Sequence, residues 1–195
     1  MRNGDCSRPS TWGRAVIASA VAGLFLMQAV GSARAGDPAP VFDLVDERLE
    51  LMKDVAAFKY LNGIAIEDLK REAVVLARAR EKAEAEGLDD GLIERFFRRN
   101  IDAAKTIQRC WIEKWSSGAV APPGRAPDLR AHIRPRLIDI GNRLTQSLAT
   151  HVKSVGAFEE AARAAFRERV VVECLDEKSA GALFDALRDV RAAGS

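Results

Sequence analysis

The chain has 195 residues, of which 30% are charged and 48% hydrophobic, and its formal net charge is +2. Residues 1–35 contain four arginines and one aspartate, so residues 36–195 alone carry a net charge near −1. This nearly neutral balance excludes the strongly basic surface that nucleic acids and acidic membranes attract, and we expect neither as a partner. A segment of about 160 residues is long enough for one domain with a single hydrophobic core.

The N-terminal segment has the three-part pattern of a secretory signal peptide. Arginines precede an apolar run over residues 15–30, and an alanine-arginine-alanine triplet at 33–35 follows as the cleavage motif. We therefore expect residues 1–35 to be removed and the mature protein, residues 36–195, to be periplasmic or secreted. The alternative is an uncleaved membrane anchor, although a run of about 16 residues is shorter than the roughly 20 that a spanning helix needs.

The composition of residues 36–195 predicts an all-α fold. This part is rich in Ala, Leu, Glu, Arg and Lys and lacks the alternating β-branched runs that are typical of strands. We predict a single-domain bundle of about six helices. Residues 36–115 would hold the site-bearing helices, 116–127 a crossover with three prolines and two glycines, and 128–195 the C-terminal helices.

The helix boundaries follow from candidate caps and from glycine and proline residues. In chain order, the predicted helices span residues 40–61, 68–87, 89–115, 129–152, 157–172 and 179–193. Asp68 is a candidate N-cap of the second helix. Pro135 must either kink the fourth helix or mark its true start, because proline has no backbone N–H and clashes with the preceding turn.

Two basic side chains interrupt the apolar face of the first helix. That face is formed by Val41, Leu44, Val45, Leu51, Met52 and Val55. Arg48 and Lys59 lie within it and are eleven residues apart, which places them about 20° apart around the helix axis. Both cations therefore share the face that should be buried.

A polar side chain also lies on the apolar face of the third helix. Gln108 is at the centre of a face formed by Ile93, Phe97, Ile101, Ala104, Trp111 and Trp115. A buried cation needs an anion and a buried amide needs a hydrogen-bond partner, so the two faces together indicate an interior pocket for a small anionic molecule. The alternatives are contacts with a partner helix, or core positions whose charged ends extend to solvent.

The second helix gives a weaker signal. Its predicted apolar face consists of Leu69, Ala73, Leu76 and Ala83, and Arg71 lies about 160° from the midline of that face. Helical phase alone therefore indicates a solvated arginine in the first turn.

Cysteine and histidine residues indicate no metal site. Cys6 would leave with the signal peptide, and in an oxidising compartment Cys110 and Cys174 could form a disulfide or remain two separate buried thiols. His132 and His151 lack companions at metal-ligand spacing, so we expect surface or packing roles for both.

Residues 47–72, ERLELMKDVAAFKYLNGIAIEDLKRE, resemble the start of the all-helical chorismate mutases, and most closely their secreted six-helix subclass. The family pattern has an Arg on the first long helix, a Lys eleven residues later, and an Asp and an Arg nine and twelve residues beyond the Lys. A Glu follows that Arg, and a Gln or Glu lies on a later helix. These positions correspond to Arg48, Lys59, Asp68, Arg71, Glu72 and Gln108.

The resemblance implies an isomerase of the shikimate pathway of aromatic amino acid biosynthesis, with no metal or other cofactor and with a homodimeric assembly. Its reaction is the 3,3-sigmatropic rearrangement of chorismate to prephenate, in which one C–O bond breaks as a C–C bond forms. Such an enzyme must hold a dicarboxylate in its compact conformer and stabilise negative charge that develops on the ether oxygen.

The resemblance also implies a role for each residue. Arg48 and Arg71 would bind carboxylates, Lys59 would bridge a carboxylate and the ether oxygen, and Gln108 would donate to that oxygen. Arg48, Lys59 and Gln108 would thus be the catalytic residues.

Three further positions complete the implied substrate site. Asp68 and Glu72 would contact the region of the ring hydroxyl, and Ala104 lies where relatives often carry Ser or Thr. An arginine from the helix after the crossover would be Arg134, with Arg130 and Arg136 as the alternatives.

Two other functions remain as alternatives. A periplasmic helical binding domain would hold a small dicarboxylate through the same arginines but would not need Gln108 at an ether oxygen. A structural adaptor would instead bury its apolar faces against a partner protein, with Trp111 and Trp115 as the contact.

Overall fold

The computed structural model describes residues 36–195, and the predicted signal peptide at 1–35 lies outside the described residues. The described chain forms six α-helices: α1 (Ala39–Leu61), α2 (Leu69–Glu86), α3 (Asp90–Ser116), α4 (Arg134–Val155), α5 (Arg163–Arg169) and α6 (Glu177–Arg188). A π-helical turn, Leu129–Ile133, precedes α4, and a 3-10 turn, Glu160–Ala162, precedes α5. Residues 36–195 contain no β-strand, which confirms the all-α prediction.

The long helix α3 is the centre of the bundle. It packs against α1, α2 and α6, while α1 also contacts α4 and α5, and α2 contacts α4. An aromatic cluster fills one end of the core, where the ring of Phe42 lies 5.2 Å from that of Phe166 and 6.4 Å from that of Phe184. None of the helices in the described part is both long and apolar enough to cross a membrane.

The boundaries of the first three helices agree with the predicted ones to within one residue, and side-chain caps begin α2 and α3. The Asp68 carboxylate accepts from the backbone N–H of Arg71 at the start of α2, as predicted. Gly87 ends that helix with φ at 72°, a conformation that residues with a side chain rarely adopt. Asp89 then caps α3 by accepting from the N–H of Leu92.

Pro135 marks the true start of α4. It lies in the first turn of the helix, where its missing N–H has no intrahelical partner to lose. The residues before it form the π-helical turn, which Asp128 caps by accepting from the N–H groups of Arg130 and Ala131.

The predicted helix over 157–172 is wrong: only Arg163–Arg169 is α-helical there. Val170 and Val172 are buried while Val171 is 69% exposed, and this alternation is that of an extended segment whose β-branched residues pack on the core.

The last predicted helix, 179–193, is displaced. Asp176 caps its N-terminus by accepting from Ser179 N–H, so α6 begins at Glu177, and it ends at Arg188. Beyond it, the backbone bonds to the α2–α3 turn instead of continuing the helix, because Asp89 N–H donates to the carbonyl of Arg191. A second bond runs from the N–H of Ala193 to the carbonyl of Gly87.

A disulfide joins Cys110 on α3 to Cys174 in the segment between α5 and α6. The two Cα atoms are 5.8 Å apart, and the two cysteines are separated by 64 positions in the sequence. Of the two states open from the sequence, the structure therefore has the bonded one.

We expect the double variant Cys110→Ser/Cys174→Ser to lose about 4 kcal/mol of unfolding free energy, because the bond restricts the unfolded chain over this loop. Urea denaturation of the oxidised protein and of the variant measures the difference. Addition of a reductant should lower the stability of the unmodified protein and leave the variant unchanged. Equal stabilities for the oxidised protein and the variant would contradict this prediction.

Candidate active site

A cavity lies between α1, α2, α3 and the segment formed by the π-helical turn and α4. The eight residues predicted as site residues all line it: Arg48, Lys59, Asp68, Arg71, Glu72, Ala104, Gln108 and Arg134. They come from five parts of the sequence and are brought together by the packing of four helices and the cap of α2.

Arg48 is buried, with 7% of its surface exposed. Its Nε donates to Oδ1 of Asn100 at 2.9 Å and its Nη1 to the backbone carbonyl of Leu137 at 3.1 Å. The guanidinium carbon lies 5.7 Å from the centre of the Phe97 ring. Burial, together with the charge of Arg71, lowers the pKa of Arg48 to about 10, so the group remains cationic at neutral pH.

Lys59 lies eleven residues after Arg48 on the same face of α1 and is also buried, with 8% of its surface exposed. Its Nζ donates to the backbone carbonyl of Ile66, in the turn that leads to α2. Burial lowers the pKa of Lys59, and the nearby carboxylates of Asp68 and Glu72 oppose that shift. No carboxylate in residues 36–195 forms an ion pair with Arg48 or Lys59.

Gln108 is buried on α3 and presents its amide to the cavity. Nε2 donates to the carbonyl of Ala104 at 3.1 Å and lies 3.7 Å from the sulfur of Met52. Thioether sulfur is a weak acceptor, so the second N–H of this amide is available to a stronger one. Oε1 is buried and has no hydrogen-bond partner among the described residues.

Arg71 lines the cavity, and the apolar face predicted for α2 is only partly right, since Leu76 and Ala83 are buried. Leu69 and Ala73 are exposed, because α2 packs not only on α3 but also on α4. A second line of residues, Arg71, Val75 and Arg78, with spacings of four and three, lines the cavity, and Arg78 in it is also exposed to solvent. Burial and the charges of Arg134 and Arg78 lower the pKa of Arg71.

Arg134 is the arginine after the crossover that lines the cavity. Its side chain is 27% exposed, and Nη2 lies 3.9 Å from Oδ2 of Asp68. Arg130 and Arg136 are exposed and do not line the cavity, which separates Arg134 from the two alternatives.

The cavity is strongly cationic. Two carboxylates, Asp68 and Glu72, line it beside seven basic side chains: Arg48, Lys59, Arg71, Arg78, Lys82, Lys105 and Arg134. Lys82 is paired with Glu86 at 2.7 Å and Lys105 with Glu72 at 3.3 Å, so neither contributes its full charge. The remaining excess of positive charge favours a ligand with more than one anionic group.

The sequence reasoning missed Arg78, Lys82, Lys105 and Asn100. Arg78 and Lys82 follow Arg71 at seven and eleven residues and so share its face of α2. Helical phase alone predicted that this face is solvated, and only the family resemblance that placed Arg71 in the site could have indicated these two residues. Asn100 lies seven residues after Ile93 and four before Ala104, so helical phase also placed this amide in the apolar face of α3, but its contact with Arg48 on another helix had no signal in the sequence.

The histidines have the roles that were expected. His132 is exposed, and His151 is buried with its ring stacked on Phe158 at 3.9 Å. Within residues 36–195, no group of three or more His, Cys, Asp or Glu side chains is placed to hold a metal ion.

Comparisons with known proteins point to one family. Residues 39–109 match the family described as chorismate mutase type II. The secreted chorismate mutase of Yersinia pestis is 30% identical over 185 residues, which cover 95% of each chain. The chain belongs to the chorismate mutase family. The secreted chorismate mutase of Mycolicibacterium smegmatis is 36% identical over 100 residues, 50% of this chain and 55% of that one.

Two solved structures resemble this chorismate mutase over most of its length. The crystal structure of the secreted enzyme from Yersinia pestis covers 78% of this chain and 97% of its own, with 28% identity and a TM-score of 0.71. The crystal structure of chorismate mutase from Burkholderia phymatum covers 80% and 96%, with 25% identity and a TM-score of 0.64. The resemblance to the secreted six-helix subclass is thus confirmed, and the protein is an enzyme of the isomerase class.

We expect Lys59→Met to keep or raise the stability of the fold, because it replaces a buried charge by an apolar side chain of similar length. The folded protein releases the Lys59 proton at lower pH than the unfolded chain, so the penalty is present at neutral pH and decreases as pH rises through the lowered pKa. The stability advantage of the variant should therefore shrink in alkaline solution.

Thermal unfolding between pH 7 and pH 10, with Lys70→Met as the control, tests this. Lys70 is an exposed lysine on α2 that does not line the cavity. A Lys59→Met protein that melts well below the control would show that the ammonium group stabilises the fold.

Proposed function

We propose that this chorismate mutase rearranges chorismate to prephenate in the cationic cavity, with the residues of a single chain supplying the whole site. The observation that carries the proposal is that Arg48, Lys59 and Gln108 converge on the cavity, where all three are buried and donate hydrogen bonds. No carboxylate within residues 36–195 forms an ion pair with the two cations, Arg48 and Lys59. The relatives are named as mutases, which favours catalysis over the dicarboxylate-binding alternative.

The rearrangement needs positioning and electrostatic stabilisation, and no proton transfer. Arg48 and Arg71 would each present two N–H groups to a substrate carboxylate, which suits the planar geometry of the guanidinium. Holding both carboxylates keeps the substrate in its compact conformer, in which its ether-linked side chain lies over the ring and the new C–C bond can form between them.

Negative charge grows on the ether oxygen as the C–O bond breaks. Lys59 would place its ammonium group there, and Gln108 would donate its free N–H to the same oxygen. Both groups are fixed by the helix core before substrate binds, so they stabilise the developing charge without reorganising. Asp68 and Glu72 would accept from the ring hydroxyl, and Arg134 would close the anionic end of the site.

Ala104 leaves one contact unmade. Its methyl group lines the cavity where relatives often carry a hydroxyl, so a substrate carboxylate receives one hydrogen bond fewer from α3. Arg78, which faces the same cavity from α2, adds positive charge on the other side.

We further propose that the mature protein is periplasmic or secreted and is a homodimer. The named secreted relatives support export, and the family resemblance supports the dimer. Light scattering of the purified protein measures the assembly.

Purified residues 36–195 should deplete the near-UV absorbance of the chorismate diene and form prephenate. Heat-denatured protein is the control, because the uncatalysed reaction also consumes the substrate slowly. A depletion rate equal to that control, from protein with an intact thermal transition, would contradict the proposed reaction.

We expect Gln108→Glu to shift activity toward acid pH. A neutral amide donates at every ordinary pH, whereas a glutamate donates to the ether oxygen only when protonated, and its anion repels the developing charge. Measured between pH 4.5 and 8, kcat should rise toward acid in the variant and change little in the unmodified enzyme. If the two pH profiles are parallel, Gln108 does not donate to the reacting oxygen.

A further inference from the structure

The guanidinium of Arg48 is held by two neutral oxygens. One is the side-chain Oδ1 of Asn100, 2.9 Å from Nε, and the other is the backbone carbonyl of Leu137, 3.1 Å from Nη1. Buried arginines are usually paired with a carboxylate, and none in residues 36–195 pairs with this one. Arg48 is thus fixed in direction on two sides while its charge stays unneutralised.

Asn100 does not line the cavity, although its partner does. It is 1% exposed and lies on α3 among Phe96, Phe97 and Ile101, where an apolar side chain would pack. Its Nδ2 is buried without a hydrogen-bond partner in the described part of the chain. A buried unpaired N–H destabilises the fold, so the Nδ2 group stabilises nothing here, and the contribution of this amide is the acceptor Oδ1 that it offers to Arg48.

We propose that Asn100 is a positioning residue that orients Arg48 toward the substrate and, by being neutral, leaves the charge of Arg48 free for a substrate carboxylate. This inference rests on the proposed role of Arg48 in binding substrate. Asn100 accepts from Nε and the Leu137 carbonyl accepts from Nη1, which leaves three N–H groups, one on Nη1 and two on Nη2, for a substrate carboxylate in the cavity that Arg48 lines.

The alternative acceptor would be a carboxylate, and its effect separates geometry from charge. Aspartate has nearly the size and shape of asparagine and would accept from Nε at the same place. Its negative charge would neutralise Arg48 and compete with the substrate for the same cation. Asn100→Asp should therefore preserve or raise stability and weaken the binding of a dianion.

We expect Asn100→Asp to raise KM at least tenfold at pH 7.5, with a smaller change in kcat and a thermal midpoint no lower than that of the unmodified enzyme. Gln146→Glu is the matched control: it makes the same amide-to-acid change on α4, at an exposed position that does not line the cavity. The control should keep KM within about twofold, which removes the change in net charge as a cause.

A double-mutant cycle with Arg48→Ala tests whether Asn100 acts through Arg48. If it does, Asn100→Asp adds little to the effect of Arg48→Ala, whereas independent effects would multiply. An unchanged KM in Asn100→Asp, or multiplicative effects in the cycle, would overturn the positioning role.

The same measurements separate the proposed role of Arg48 in substrate binding from the inference about Asn100. An Arg48→Ala enzyme with unimpaired kcat/KM would refute the role of Arg48 in the proposed function. An impaired Arg48→Ala enzyme beside a normal Asn100→Asp enzyme would refute only the inference about Asn100. Asn100→Leu, which removes the acceptor without adding charge, should lower kcat/KM as well, because Nε loses its fixed direction.

Discussion

Positive charge buried without a neutralising carboxylate is the constraint on which this structure depends. Arg48 and Lys59 lie in the apolar face of α1, and they are kept there by uncharged acceptors: an amide and two backbone carbonyls. Removing a cation from water is unfavourable, and neutral acceptors compensate only in part. The bundle therefore carries a local instability at the place where we propose that a dianion binds, and such a ligand would relieve it.

The rest of the core compensates for that instability. Aromatic side chains from α1, α5 and α6 pack together around Phe42, six residues before Arg48 on α1. The disulfide between Cys110 and Cys174 fixes α3 two residues after Gln108 and ties it to the C-terminal segments. Thr145 on α4 is the last residue of the sequence that lines the cavity. The helices α5 and α6 contribute none and thus support the helices that do.

The sequence predicted the part of the molecule in which local signals and packing agree. Caps and glycine fixed α1 to α3 to within one residue, and helical phase alone placed Arg48, Lys59 and Gln108 inward. The sequence-based prediction failed where tertiary contacts decide which residues are buried. The α3 and α4 helices both pack on α2, so α2 has two covered faces. Residues 170–172 were predicted to be helical but form an extended segment along the core. The disulfide and the contact of Asn100 with Arg48 join distant segments, so periodicity could not reveal them.

The two backbone hydrogen bonds between residues 191–193 and the α2–α3 turn affect the order in which parts of the fold can form. Gly87 and Asp89 lie at the junction of the two helices that carry Arg71 and Gln108, and their partners are Ala193 and Arg191, within the last five residues. During synthesis from the N-terminus, the α2–α3 turn lacks these two bonds until residues 191–193 have been added.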